Sequence, residues 1–153
     1  KKLSGGADLD GDGYDDLVAH TATSVEVFAG GSSRLADGQA SSISISDASQ
    51  TSYTYIDDTQ SSVGDLNADG NGDLVMGDYY AASNKGAIWT FYGPMSAGSY
   101  DVTDSDSTLT GIDTYGYFGI DNEIGDLDGD GIDDLLIGDD GEQTIWLFNG
   151  GSM

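Results

Sequence analysis

Three segments of this chain are close copies of one another: DLDGDGYDDLV from Asp8, DLNADGNGDLV from Asp65 and DLDGDGIDDLL from Asp126. Asp8 and Asp65 are 57 residues apart, and Asp65 and Asp126 are 61 apart. A second marker follows each copy: VEVFAG from Val25, IWTFYG from Ile88 and IWLFNG from Ile145. Two markers recurring in the same order identify a duplicated structural unit. The 153 residues therefore form a single segment of three repeats, with boundaries near 1–52, 53–112 and 113–153, and architectures without internal repetition are excluded.

The unit is built of strands. Gly and Ser recur throughout, and no long stretch carries the three-and-four apolar spacing of a helix. The apolar runs are short, β-branched or aromatic, and bounded by Gly, Asp and Asn, as strands and turns require. Each unit divides into an inner strand A, an Asp-rich turn, strand B, a variable loop, strand C, a Gly-rich turn and an outer strand D. In the middle unit A lies near Gln60 to Gly64, B at Asp73 to Asp78, C at Ala87 to Tyr92 and D near Ser107 to Thr110. In the first unit D lies at Ser42 to Ser46. The expectation is an all-β chain of three four-stranded antiparallel β-propeller blades, the last incomplete.

The Asp-rich turns carry the chemistry. Side-chain oxygens stand at positions 1, 3, 5 and 9: Asp8, Asp10, Asp12 and Asp16; Asp65, Asn67, Asp69 and Asp73; Asp126, Asp128, Asp130 and Asp134. Converging hard oxygens, completed by the position-7 carbonyls of Tyr14, Asn71 and Ile132, are the donor set of calcium, so three calcium sites are expected. Gly13, Gly70 and Gly131 hold position 6, where the turn is sharpest. Leu9, Leu66 and Leu127 at position 2 are expected to anchor the loops to the core. An EF-hand shares the opening D-x-D-x-D-G but needs a glutamate at position 12, where Ala19, Met76 and Ile137 stand. Magnesium fits less well, because it takes few protein ligands in strict octahedral geometry. The second loop is expected to bind most weakly, since Asn67 leaves it with three carboxylates.

With these loops in place the chain resembles the FG-GAP repeats of integrin α-chain propellers and their bacterial relatives. Phe118-Gly119 stands ahead of the third loop at the place of the family's Phe-Gly. The family's Gly-Ala-Pro after strand B is replaced by Ala19-His20-Thr21, Gly77-Asp78-Tyr79 and Gly138-Asp139-Asp140. The resemblance implies propeller blades with a mainly structural calcium between strands A and B, in extracellular or cell-surface proteins of adhesion and recognition.

Composition closes off other functions. Four Lys+Arg against 28 Asp+Glu give a formal net charge of −24. No basic patch for phosphate backbones or anionic lipid can be assembled from Lys1, Lys2, Arg34 and Lys85. No apolar run approaches a membrane span. Without cysteine there is neither disulfide nor thiolate metal site. Acid pairs such as Asp57-Asp58, Asp139-Asp140 and Asp121 with Glu123 are what 28 acidic residues produce by chance, so the expectation is a binding protein, not an enzyme. An accessory or catalytic domain of a carbohydrate-active enzyme is the alternative. His20 reads as a surface or turn residue, Trp89 and Trp146 as blade packing, and Asp101, Asp104 and Asp106 as a solvated loop or outer strand.

Partners are read from the loops opposite the calcium turns. From the first loop residue to strand C the units span 17, 23 and 19 residues, so length varies in the B–C connection. Tyr79 and Tyr80 lie there, with Tyr53, Tyr55, Tyr115 and Tyr117 along the D–A connections. Tyrosine joins flat apolar area to a polar tip, which suits a protein or carbohydrate ligand. Three blades do not close a propeller. The chain is therefore expected to belong to a longer array or to pair as a homodimer completing a six-bladed ring.

Overall fold

In the computed structural model, residues 2–33, 35, 37–48 and 60–151 are described. The chain is all-β, with three sheets in chain order. The first is an antiparallel meander of β1 (Leu3–Ala7), β2 (Asp16–His20), β3 (Ser24–Phe28) and β4 (Ile43–Ser46). The second orders β5 (Ser61–Gly64), β6 (Asp73–Asp78), β7 (Ala87–Phe91) and β9 (Ser107–Thr110) in the same way. The third has β10 (Phe118–Gly125), β11 (Asp134–Asp139) and β12 (Thr144–Phe148). Among the described residues the sheets do not close into a ring, and no helix is long and apolar enough to cross a membrane.

The predicted strands fall where the pattern puts them, with one addition. β8 (Gly98–Asp101) lies between β7 and β9 in sequence but pairs in parallel with β4, becoming a fifth strand of the first sheet. It takes in Asp101, which sequence alone placed with Asp104 and Asp106 in a solvated loop or outer strand. Gly-Ser-Tyr-Asp is too short for an alternating pattern, and its partner belongs to another repeat.

The middle sheet is buried on both faces. Leu74 and Met76 of β6 and Trp89 and Phe91 of β7 pack with Val18, Val25, Val27, Ile43 and Ile45 of the first sheet. Val75 and Ile88, one residue out of phase, pack with Leu135 and Ile137 of the third. This is the period of two that a strand imposes on its side chains. Each fully buried aliphatic chain contributes roughly 2 kcal/mol by leaving water. On the third sheet's far face Ile145 and Leu147 are exposed.

Two expectations are corrected here. Leu9 and Leu66 are 0% exposed and anchor their loops between sheets, but Leu127 is 56% exposed, because no further sheet among the described residues covers it. His20 is a buried end residue of β2, not a surface one, and its Nε2 lies 2.8 Å from Ser61 Oγ of the second sheet. A small hydroxyl across the interface gives the ring a polar partner that no local pattern reveals.

Candidate metal centres

The three Asp-rich turns have one geometry. The position-6 N–H of Gly13, Gly70 and Gly131 donates to Oδ2 of Asp8, Asp65 and Asp126 at 2.7, 2.9 and 3.0 Å. The position-5 N–H of Asp12, Asp69 and Asp130 donates to Oδ1 of Asp10, Asn67 and Asp128 at 3.2, 2.9 and 3.1 Å. The position-7 N–H of Tyr14, Asn71 and Ile132 donates to Oδ1 of Asp12, Asp69 and Asp130 at 2.9, 2.8 and 2.9 Å. The backbone thus curls around the carboxylates and turns them inward. The curl needs left-handed backbone at position 6, where the three glycines have φ of 89°, 88° and 89°.

Asp8, Asp10 and Asp12 bring carboxylate oxygens within 4.8 Å of one another, as do Asp126, Asp128 and Asp130. Either group can hold a metal ion. In the second loop only Asp65 and Asp69 supply carboxylates at these positions, because Asn67 holds position 3. Burial raises the Asp10 carboxyl above the usual range, and the charges of Asp16, Asp12 and Asp8 push it the same way. In the second loop Asp69 is instead lowered, first by the Asn71 N–H and then by the side-chain amides of Asn71 and Asn67. At Asp10 burial and the neighbouring carboxylates both disfavour the charged form, which a cation would favour.

Position 9 does a second job. Oδ2 of Asp16, Asp73 and Asp134 accepts the position-2 N–H of Leu9, Leu66 and Leu127 at 2.8, 2.8 and 3.0 Å. Oδ1 accepts the N–H of Gly30, Gly93 and Gly150 at 2.7, 3.0 and 3.0 Å. These buried aspartates tie the start of each loop to the exit of strand C, and they lie outside the two converging acidic groups. Gly30, Gly93 and Gly150 were not singled out from sequence, although each ends an F-x-G marker. A Cβ there would run into the carbonyl oxygen of Asp15, Gly72 or Asp133. At Asp73 burial pushes the carboxyl up to about 6, against the pull of the Gly93 and Leu66 N–H groups.

The loops also bond to one another in sequence. Gly72 N–H donates to Asp8 O at 2.7 Å and Asp133 N–H to Asp65 O at 3.2 Å, the same two positions in successive repeats. The acidic turns thereby form a row along one end of the stacked sheets.

The opposite end carries the tyrosines. Tyr79, Tyr80 and Tyr117 form a cluster, with ring centroids 4.4 Å apart for Tyr79 and Tyr80, 5.6 Å for Tyr79 and Tyr117, and 6.1 Å for Tyr80 and Tyr117. Tyr115 is exposed beside them in sequence, while Tyr53 and Tyr55 lie outside the described residues. The backbone around the cluster is unusual: Ala82, Ser83, Asn84, Tyr115 and Tyr117 all have left-handed φ between 52° and 66°. Just before it, Asp78 Oδ2 is buried without a hydrogen-bond partner among the described residues.

No known protein family and no curated protein matches the chain.

Proposed function

We propose that this protein is a calcium-stabilised recognition module whose three sheets are successive blades of a β-propeller, with a protein or carbohydrate ligand and no catalytic step. The observation that carries the reading is the threefold recurrence of one loop geometry. In each loop the position-6 N–H bonds the position-1 carboxylate, and in the first and third loops the carboxylates at positions 1, 3 and 5 converge with the donor chemistry of calcium. The two all-carboxylate loops concentrate negative charge that a bound cation would relieve, in a chain already at −24. Calcium there is structural, because folding must bring the carboxylates together before it can bind.

Recognition belongs to the opposite end. The Tyr79, Tyr80 and Tyr117 cluster offers aromatic area in tilted and edge-to-face contact, and left-handed backbone at non-glycine residues is strain of the kind that gathers at binding sites. An adhesion or recognition role outside the cell suits such loops, since extracellular modules bind calcium at about 10⁻⁴–10⁻³ M. Two chains associating through the exposed face of Ile145 and Leu147 would supply six sheets for a closed ring.

A glycan and protein array with wild type and a Tyr79→Ala, Tyr80→Ala double mutant tests the reading in calcium. Ligand binding that the double mutant loses supports it. Binding kept by the double mutant but lost on Asp→Asn changes in the acidic loops, with the fold intact, moves recognition to the calcium end and refutes this assignment.

A further inference from the structure

We infer that the free edge of β9, with the apolar groove beside it, is an acceptor for an extended peptide segment carrying an aromatic side chain and, two residues on, an aliphatic one. The basis is an equivalent site one repeat earlier that this chain fills itself.

There, β8 lies parallel on the edge of β4, with Tyr100 opposite Ile45. The Tyr100 ring meets Phe91 edge-on at 6.2 Å, and Val102 is buried in the same cluster. Registers fix the counterparts in the next repeat. Val25 pairs with Ile45 as Ile88 pairs with Leu109, so β9 is to the second sheet what β4 is to the first. Phe148 and Trp146 of IWLFNG stand where Phe91 and Trp89 stand in IWTFYG.

The second site has the walls without the filling. Leu109, Ile112, Phe118, Trp146 and Phe148 line an open, mostly apolar groove together with Asp139. Trp146 is 38% exposed against 7% for Trp89, and Ile112 is 75% exposed. β9 pairs with β7 on one side and with no described strand on the other. An open edge offers backbone hydrogen bonds for affinity, and adjacent pockets read alternate side chains for specificity. The occupant therefore enters parallel to β9, with its aromatic beside Leu109 as Tyr100 sits beside Ile45.

The probe is a labelled synthetic peptide, Ser-Ala-Gly-Ser-Tyr-Asp-Val-Thr-Asp-Ser, the sequence of residues 96–105. It is titrated against the full chain in calcium and followed by anisotropy and tryptophan emission. The expected result is saturable binding with a blue shift from Trp146, absent in Trp146→Phe. A peptide with serine at its tyrosine and valine positions should bind about tenfold more weakly or worse. Leu109→Asp should abolish binding, and Ile112→Asp, at a largely exposed position on the groove, should weaken it. No binding at about 1 mM peptide, or binding indifferent to both substitutions, overturns the inference.

Discussion

The middle and third sheets are written in nearly the same residues and meet different fates. Ile88 and Ile145 hold the same place in their markers, yet Ile88 is 0% exposed and Ile145 is 71% exposed. Leu66 and Leu127, Trp89 and Trp146 divide the same way. Each sheet presents one face backward and one forward, and burial depends on whether the neighbouring unit arrives to cover it. Stability in such an array is a sum of intrinsic unit terms and interface terms, so equivalent residues carry unequal weight.

The largest effect is expected from the one feature that both sheets share. Chelating calcium should lower the thermal midpoint by about 10 °C or more, because the acidic loops lose the cation that offsets their repulsion. Circular dichroism melts with calcium and with excess chelator measure it, and equal midpoints would refute a structural calcium. Calorimetric titration should also fill the second loop last, since Asn67 leaves it one carboxylate short; three equal sites would contradict that order.

Next in size is a direct comparison of the two sheets at one repeat position. Leu66→Ala removes a fully buried chain and should cost about 2–5 kcal/mol. Leu127→Ala, at an exposed copy of that position, should cost no more than about 0.5 kcal/mol in the monomer. Equal costs in urea unfolding would mean that Leu127 is covered in solution, and a concentration dependence would identify the cover as a second chain.

Strands and acidic loops were legible because their signals are local: alternation in Val25 to Val27, or Asp at every second position from Asp8 to Asp12. What escaped depends on distant partners. β8 forms only because β4 of another repeat offers an edge. His20 is buried because Ser61 faces it. Spacing marks Asp16, Asp73 and Asp134 as candidate ligands but is silent on their tie to the glycine after strand C, 14 residues or more away. Tyr79, Tyr80 and Tyr117 share a connection type in sequence, but only the fold brings their rings together.

A smaller effect is expected at Asp73, where the pH dependence should change sign with calcium. Its folded value of about 6 lies above the ordinary 3.8. The calcium-free folded state therefore holds a proton that the unfolded chain has released, and the stability this supplies falls away as pH rises from about 4 to 6. A bound calcium favours the carboxylate and should pull the value below the ordinary one, so acidification then destabilises. Carbon-detected NMR of the Asp73 carboxyl reads this directly. A midpoint near 4 without calcium, or one unmoved by calcium, would refute it.

The smallest effect lies at position 4 of the loops, where sequence differs but backbone does not. Ala68 has φ 60° where Gly11 has 78° and Gly129 has 82°, so an alanine in the middle repeat holds a left-handed conformation that costs an L-residue about 1 kcal/mol. A Cβ at Gly129 would meet nothing within 4 Å, so Gly129→Ala isolates the backbone term from any clash. It should destabilise by about 1 kcal/mol. Ala68→Gly should return a similar amount, because the freedom of the unfolded chain enters both substitutions with opposite sign. Paired denaturation curves in saturating calcium should show the two shifts with opposite signs and similar sizes. A stabilising Gly129→Ala would mean that the third loop does not share the backbone of the second.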